Sequence, residues 1–399
     1  MIMSAFTKKF AIVGLGVTKV GHVPGYSART LQSEAARLAI EDAGLKREDI
    51  DGAINAKSDG GGGTGGDWTD AFPRILGLPI KFYFHIARGG AGGTYALASA
   101  LSFLEAGIAK YVLIAYGDNS WSMSHQGGKR NIGGMGHTPR PGLWGRPLGD
   151  LAAASHHSFF ASRHMHEFGT TSRQLGAIAV SERQWACLNP AAYMYGRPLT
   201  IEEHQSSPYY VYPYHMLDIC LQSDGGSAFI VTTADRAKDC KKPPVYILGM
   251  GFGEVVRQLW WEKGNYTALD IGPAKEAAFK QAGIELKDVD VAEFYDCFTM
   301  EVLLQIEGYG WCKKGEGGPF VEAGNIAPGG TIPVNTGGGL LSSHHLGDMT
   351  TIAEAITQIR GEGGGRQVKG AEVALATGHG GEMLRPGMCS THTLFVFGK

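Results

Sequence analysis

Apolar and polar positions change period along the chain in a regular way. Phe10 to Gly16, FAIVGLG, is a short continuous apolar run and predicts a buried strand. From about Ala28 to Ala43, Leu31, Ala35, Leu38 and Ala39 fall on one helical face. AGLKREDID then leads into a strand near Gly52 to Asn55, and Ser58 to Asp67 is a glycine loop. Thr94 to Glu105 predicts a second apolar helix, and Tyr111 to Tyr116, YVLIAY, a central strand. Between Gly117 and about Ser155 the period dissolves into Gly, Pro, His, Met and Trp, a stretch too long for a plain connection. It predicts a functional loop or a dimer element. Helical spacing resumes from His156 to about Asn189, and LQSDGG runs into the strand SAFIVTT before Thr233.

Past a Lys- and Asp-rich linker at Ala234 to Pro244, the pattern starts again. PVYILGMG, Pro244 to Gly251, is a strand, and a helix follows from about Ala274 to Ala282. Ala43-Gly44-Leu45 with Asp49-Ile50-Asp51 recurs as Ala282-Gly283-Ile284 with Asp288-Val289-Asp290, at the same spacing. Tyr111 to Gly117 parallels Glu372 to Gly378. One unit is used twice: residues 1–240, with an insertion at about 117–215, and residues 241–399. Alternating strands and helices predict α/β layers, with a site where each half donates a loop.

The loop the rest surrounds is PVNTGGGLLSSHHLGDM, from Pro333, followed by a helix from about Thr350 to Arg360 with Ile352, Ala355 and Ile356 on its apolar stripe. Gly337, Gly338 and Gly339 permit close backbone approach, and the following helix start offers N–H groups to an anion. His345 is either a general base or hydrogen-bond donor, or a structural histidine bonding its own loop. Its neighbour His344 and a further His379, in the loop TGHGGE, raise the chemical reading to even weight. Tyr295 in YDCFT can donate a proton or hold an oxyanion, or simply pack its ring. Asp296 is expected to cap the helix starting at Phe298 or Thr299, and Cys297 to be packing. His85 and Arg88 flank the loop HIARGGAGGTYAL and suit either anionic groups or the surface.

Composition narrows the class. The chain has 399 residues, 43% hydrophobic and 19% charged, the balance of a globular protein. Sixty glycines, about twice the usual share, cluster in loops and mark tight backbone sites. A formal charge of −2 argues against a nucleic-acid binder. Cys187, Cys220, Cys240, Cys297, Cys312 and Cys389 form no CxxC pair, so a zinc ribbon within the chain is not expected and reduced thiols are. The N-terminus has no signal-type apolar run and no 18-residue apolar stretch follows, so a soluble, cytoplasmic protein without membrane spans is expected.

Five segments bring a family into view: GRPLTIEEHQSS (Gly196 to Ser207), LDICLQSDGG (Leu217 to Gly226), YDCFT, GYGWCKKGEGGPFV (Gly308 to Val321) and PVNTGGG (Pro333 to Gly339). In these the chain resembles the thiolase superfamily, within it the sterol-carrier-protein-x-type thiolases and, more closely, the lipid-transfer-protein-like aldolases of bacterial steroid side-chain degradation. The resemblance implies the duplicated five-layer α-β-α-β-α fold and an acyl-CoA substrate. It also implies a homodimer with a small partner subunit of zinc-ribbon and OB-fold type. Thiolases carry a nucleophilic Cys in the first glycine loop; here that position is Gly90, and no Cys precedes Cys187. The second thiolase Cys has no counterpart in Ala374 to Gly381, and Cys389 is a poor substitute. The aldolases share this loss and pair a Tyr, here Tyr295, with a second Tyr whose position falls on His345, where thiolases also have His.

Retro-aldol cleavage of a bulky steroid or aromatic 3-hydroxyacyl-CoA is therefore the leading expectation. His345 or Tyr295 would be the base, and His379 or the N–H groups of Gly380 and Gly381 would hold the enolate oxygen. Gly90, His344 and Asn335 are expected to line the substrate. One alternative is thiolysis of a 3-oxoacyl-CoA, for example of benzoylsuccinyl-CoA type, with CoA attacking directly after His345 takes its thiol proton. Another is a non-catalytic acyl-CoA carrier or scaffold. Trp121, Trp144, Trp260, Trp261 and Trp311 hint weakly at a polycyclic or aromatic acyl group. No bound cofactor is expected beyond coenzyme A as part of the substrate or co-substrate, and no metal: adjacent His344 and His345 suit opposite orientations.

Overall fold

A computed structural model describes residues 8–57, 71–86, 88–125, 153–254, 266–380 and 391–399. The first pass of the pattern runs β1 (Phe10–Val17), α1 (Ala28–Ala43), β2 (Gly52–Asn55), β3 (Phe82–His85), α2 (Gly92–Glu105) and β4 (Tyr111–Asn119). Two inserted helices follow, α3 (Ala153–Phe168) and α4 (Ser172–Cys187), and then β5 (Asp224–Thr233). The second pass runs β6 (Val245–Glu254), α5 (Ile271–Ala282), β7 (Val291–Glu293), α6 (Thr299–Tyr309), α7 (Met349–Arg360), β8 (Val373–Gly380) and β9 (Thr391–Gly398).

The repeated residues do the same physical work in both passes. Gly44 (φ 71°) and Gly283 (φ 67°) end α1 and α5 in the left-handed conformation, which glycine adopts without strain. Asp49 closes the next turn on the N–H of Lys46 at 2.8 Å, and Asp288 does so on Glu285 at 2.8 Å. Asp51 accepts from Lys110 and Tyr111 N–H at 2.8 and 3.0 Å, and Asp290 from Glu372 and Val373 N–H, both at 2.9 Å. Each carboxylate thus fixes where β4 or β8 begins.

Strand order carries the repeat further. β2 pairs in parallel with β3 and β4, β4 pairs antiparallel with β5, and β5 antiparallel with β1. β7 pairs in parallel with β8, β8 antiparallel with β9, and β9 antiparallel with β6, while Val334 bridges Ala292 in the place β3 holds in the first half. The halves meet along β1 and β6 at Ala11–Tyr246 and Ile12–Val245. We infer two copies of one unit divided near residue 240.

Three apolar layers separate the elements. Ala35, Ala39 and Ile40 of α1 pack on Leu113 and Ile230. Leu97 and Leu101 of α2 with Ile352 and Ile356 of α7 fill the space between the two halves of the nine-stranded sheet, against Ile114, Phe229, Ala376 and Phe395. Ala274, Ala278, Leu303 and Leu304 of α5 and α6 cover Leu375 and Val396. This is the five-layer α-β-α-β-α arrangement. Lying between the two halves of the nine-stranded sheet, α7 buries its polar residues as well; Gln358, fully buried, spends its amide on Thr336 Oγ1 (3.0 Å) and the Arg366 carbonyl (3.1 Å). No helix among the described residues is long and apolar enough to cross a membrane.

Candidate active site

Parallel pairing sets equivalent positions side by side. Asn55 pairs with Ala115, and Glu293 with Ala376. Two residues past the ends of β2 and β7 stand Lys57 and Tyr295; three residues past the paired alanines stand Asp118 and His379. The loops before α2 and α7 carry Gly90 and His345. These positions bring both halves to one place, at the carboxyl ends of parallel strands, where α/β folds bind ligands.

Tyr295 is held by its backbone. Its N–H donates to Thr377 Oγ1 at 2.9 Å, and its carbonyl accepts from Gln305 Nε2 at 2.9 Å. The phenol reaches Gly90: a β-carbon there would come closer than 3.0 Å to both Cζ and Oη of Tyr295. Only glycine at position 90 leaves room for this ring. Gly90 is also tied to the far strand, with His379 N–H donating to its carbonyl at 3.2 Å. The His379 ring lies against Tyr295 with centroids 6.1 Å apart and planes 27° from parallel.

His345 arrives on a wide helical turn, Gly339–Ser343, entered through Gly338 (φ 98°) and Gly339 (φ 57°). Asp296 Oδ2 accepts the N–H groups of Leu340 and Leu341 at 2.7 and 3.0 Å, and Ser223 Oγ accepts that of His345 at 3.1 Å. His345 Nε2 then stands 3.2 Å from Tyr295 Oη. Burial lowers the His345 pKa; Asp118 opposes this and Lys57 adds to it, so the ring is neutral at pH 7. Lys57 Nζ and Asp118 Oδ1 form an ion pair at 3.0 Å.

Comparison with known proteins follows this geometry. Residues 254–398 match the family described as thiolase C-terminal domain-like. A steroid side-chain-cleaving aldolase of Thermomonospora curvata is 34% identical over 369 residues, covering 90% of this chain and 92% of its own. A 17-hydroxy-3-oxo-4-pregnene-20-carboxyl-CoA lyase of Mycobacterium tuberculosis is 34% identical over 374 residues, 92% of this chain and 95% of its own. The solved Ltp2–ChsH2(DUF35) aldolase superposes with a TM-score of 0.85 at 31% identity, over 99% of this chain and 98% of that one. The chain belongs to the thiolase superfamily. Within it, the chain falls in the group of the steroid side-chain aldolases and sterol-carrier-type thiolases.

Several residues expected at this thiolase-type site have other work. Asn335 is fully buried: its Oδ1 accepts the Phe294 N–H at 2.7 Å and its Nδ2 donates to Glu182 at 2.9 Å. Both ends of its amide are spent on pinning the loop. His344 is extended (φ −167°), so its side chain leaves the loop on the face opposite His345. Its Nδ1 meets Ser343 Oγ at 2.9 Å, and it lines a separate cavity of about 250 Å³ with Leu15, Val17 and Thr350. Asp296 caps the glycine turn rather than α6. The start of α2, not of α7, gathers a carboxylate, and it is the protein's own: Asp348 accepts Gly93 and Thr94 N–H, both at 2.7 Å.

His379 stays neutral, its pKa pushed well below the usual range by burial, then by His157 and His392. Gly380 backs onto the Arg88 carbonyl, and Gly381 lies outside the described residues. Arg88 pairs with Glu254, and His85 Nδ1 lies 3.1 Å from Asn55 Nδ2, so both have protein partners. His157, Cys297 and Glu301 bring N, S and O atoms within 4.8 Å of one another. His157 Nδ1 and Glu301 are also hydrogen-bonded to each other within this buried group. Trp311 packs on Phe294 and Tyr309 in the core, while Trp144, Trp260, Trp261 and Cys389 lie outside the described residues.

Sequence reading missed Lys57, Asp118, Ser223 and Glu182. Glu182 had a signal: it continues the buried stripe Leu175, Ile178, Ala179 of α4, where a carboxylate is out of place. Asp118 and Lys57 gave none, because their role depends on which strands lie side by side.

Proposed function

We propose that the chain cleaves the Cα–Cβ bond of a bulky 3-hydroxyacyl-CoA by a retro-aldol reaction. The observation that carries this reading is the Gly90–Tyr295 contact. The space for a nucleophile's side chain holds a phenol, so the acyl-enzyme route has no starting atom, whereas retro-aldol chemistry needs only a base, an oxyanion site and an acid.

The steps balance without a protein nucleophile. Neutral His345 and Tyr295, joined at 3.2 Å, act as one proton-transfer pair. The pair takes the proton of the β-hydroxyl, the new C=O forms, and the Cα–Cβ electron pair passes into the thioester as an enolate. Backbone N–H groups where the Gly90 and Gly380 loops meet hold the enolate oxygen. The α-carbon then takes a proton back from the pair, leaving a ketone or aldehyde and a shortened acyl-CoA. Coenzyme A enters as part of the substrate, and the steps use no other cofactor.

The names of the relatives support a steroid thioester with a hydroxyl on the carbon to be cleaved. The DUF35 component named with the solved relative supports a second, small subunit, which we assign as zinc-ribbon and OB-fold in type, on a homodimeric core. The five described cysteines carry thiols outside any disulfide, which suits a cytoplasmic location. A second reading, thiolysis of a 3-oxoacyl-CoA, draws on His345: a neutral imidazole can equally take the proton of a CoA thiol. Product analysis with and without free CoA separates the two. Retro-aldol cleavage proceeds without CoA and yields one carbonyl product; thiolysis requires CoA and yields two thioesters.

A further inference from the structure

Four carboxyl groups are buried behind the 337–345 loop: Glu182 on α4, Glu293 on β7, Asp296, and Glu354 on α7. Arg366 is bonded to Glu354, its Nε to Oε1 at 2.8 Å and its Nη2 to Oε2 at 2.9 Å. Arg183, beside Glu182, turns away to Ser342 Oγ (2.9 Å) and the Arg197 carbonyl (3.2 Å). Among the described residues, Glu182 and Asp296 make no ion pair, though both are fully inaccessible to solvent.

These two side chains converge on Gly339, each within hydrogen-bonding range of the other. A β-carbon on Gly339 would come closer than 3.0 Å to both Asp296 Oδ2 and Glu182 Oε2, so the two oxygens sit side by side over one glycine. Two ionised carboxylates cannot share such a place in a low-dielectric interior. Asp296 already accepts two backbone N–H groups, which favour its charged form; the proton therefore resides on Glu182. We propose that Glu182 and Asp296 share one proton, and that this carboxyl–carboxylate hydrogen bond is the device that holds His345 against Tyr295.

The connections run through named atoms. Asp296 follows Tyr295 directly and anchors the turn whose last residue is two before His345. Glu182 joins that anchor to α4, and through Asn335 to the strand end at Phe294. Burial raises both carboxyl pKa values, that of Glu182 well above the usual range, in the presence of Glu293. Glu293 is itself raised by burial and by Glu354, and it accepts from Thr336 Oγ1 at 2.7 Å. Glu182 and Asp296 are positioning residues, since they act through the backbone of Tyr295 and the loop.

The test uses Glu182→Gln and Glu182→Met in the full chain, with its partner subunit where assembly requires one. Gln keeps a donor to Asp296; Met keeps the volume and loses the donor. Infrared difference spectra of wild type against Glu182→Gln at neutral pH are expected to show the loss of one protonated carboxylic-acid carbonyl band. Turnover of a 3-hydroxyacyl-CoA is expected to stay within about threefold of wild type in Glu182→Gln. In Glu182→Met, kcat should fall about tenfold to a hundredfold with KM nearly unchanged, as small misplacement of reacting groups does. An unchanged carboxylic-acid band in Glu182→Gln, or full kcat in folded Glu182→Met, overturns the proposal. The kinetic arm rests on the retro-aldol reading and is run only after wild-type turnover is established; the infrared arm is independent of that reaction, so the two can fail separately.

Discussion

Gly90 and Tyr295 compete for one volume, and the phenol occupies it: a β-carbon at position 90 would come within 3.0 Å of the Tyr295 ring and hydroxyl. Gly90→Ala should therefore overpack the site, costing about 1–3 kcal/mol of stability and most of the activity. In a Tyr295→Ala background the same substitution should cost little. A double-mutant cycle by chemical denaturation measures this coupling; additive costs would show that the two positions are independent.

Tyr295 and His345 form one pair in the proposed mechanism, so their losses should not add. Tyr295→Phe and His345→Ala should each lower kcat/KM by about 10²–10⁴-fold, and the double variant by little more than the worse single one. His345→Tyr, which places a second phenol beside Tyr295, should recover part of the loss. Steady-state kinetics of the four variants decides it.

The pH dependence follows from the environment of His345. Its pKa is lowered by burial, so the active free base persists below the ordinary histidine range and the acid limb of kcat/KM lies below pH 6.5. Asp118 raises that pKa and Lys57 lowers it. Asp118→Asn should move the acid limb to lower pH and Lys57→Met to higher pH. Shifts of the opposite sign would mean that another group controls the limb.

Acid should weaken the fold through two other histidines. Burial pushes His344 down to about 4 and His392 down to about 3, against the ordinary histidine value of 6.5. A histidine whose folded pKa lies below its unfolded one binds fewer protons when folded, so stability is lost as pH falls below 6.5. His344 alone should account for about 3 kcal/mol by pH 4. His392, whose Nε2 is 2.9 Å from Tyr309 Oη, should act in the same direction, and His392→Asn should flatten the denaturation midpoint against pH.

Much of this architecture was legible in the residues. The AGL–DID and AGI–DVD repeats pointed to duplication because each aspartate has one fixed task, closing a turn or seating a strand. Tyr295, His345 and Gly90 could be marked as candidates because they fall at strand–helix junctions, where α/β folds carry chemistry, while a packing tyrosine or a loop-bonding histidine there reads the same in sequence. Asn335 and His344 were expected at the substrate, and each has a partner inside the loop region; glycine loops need polar side chains to hold them, and sequence alone does not separate a pin from a ligand contact. The polarity of Asp118 and Lys57 became informative only once β2 and β4 were seen to be parallel neighbours, with their ends beside His345.

The most direct test is to incubate the enzyme, with and without the proposed small subunit, with a steroid 3-hydroxyacyl-CoA in the absence of free CoA and to analyse the products by mass spectrometry. The account predicts a ketone or aldehyde together with a shortened acyl-CoA, formed by wild type and nearly abolished in Tyr295→Phe. Cleavage of only the 3-oxo thioester, and only when CoA is added, would contradict it.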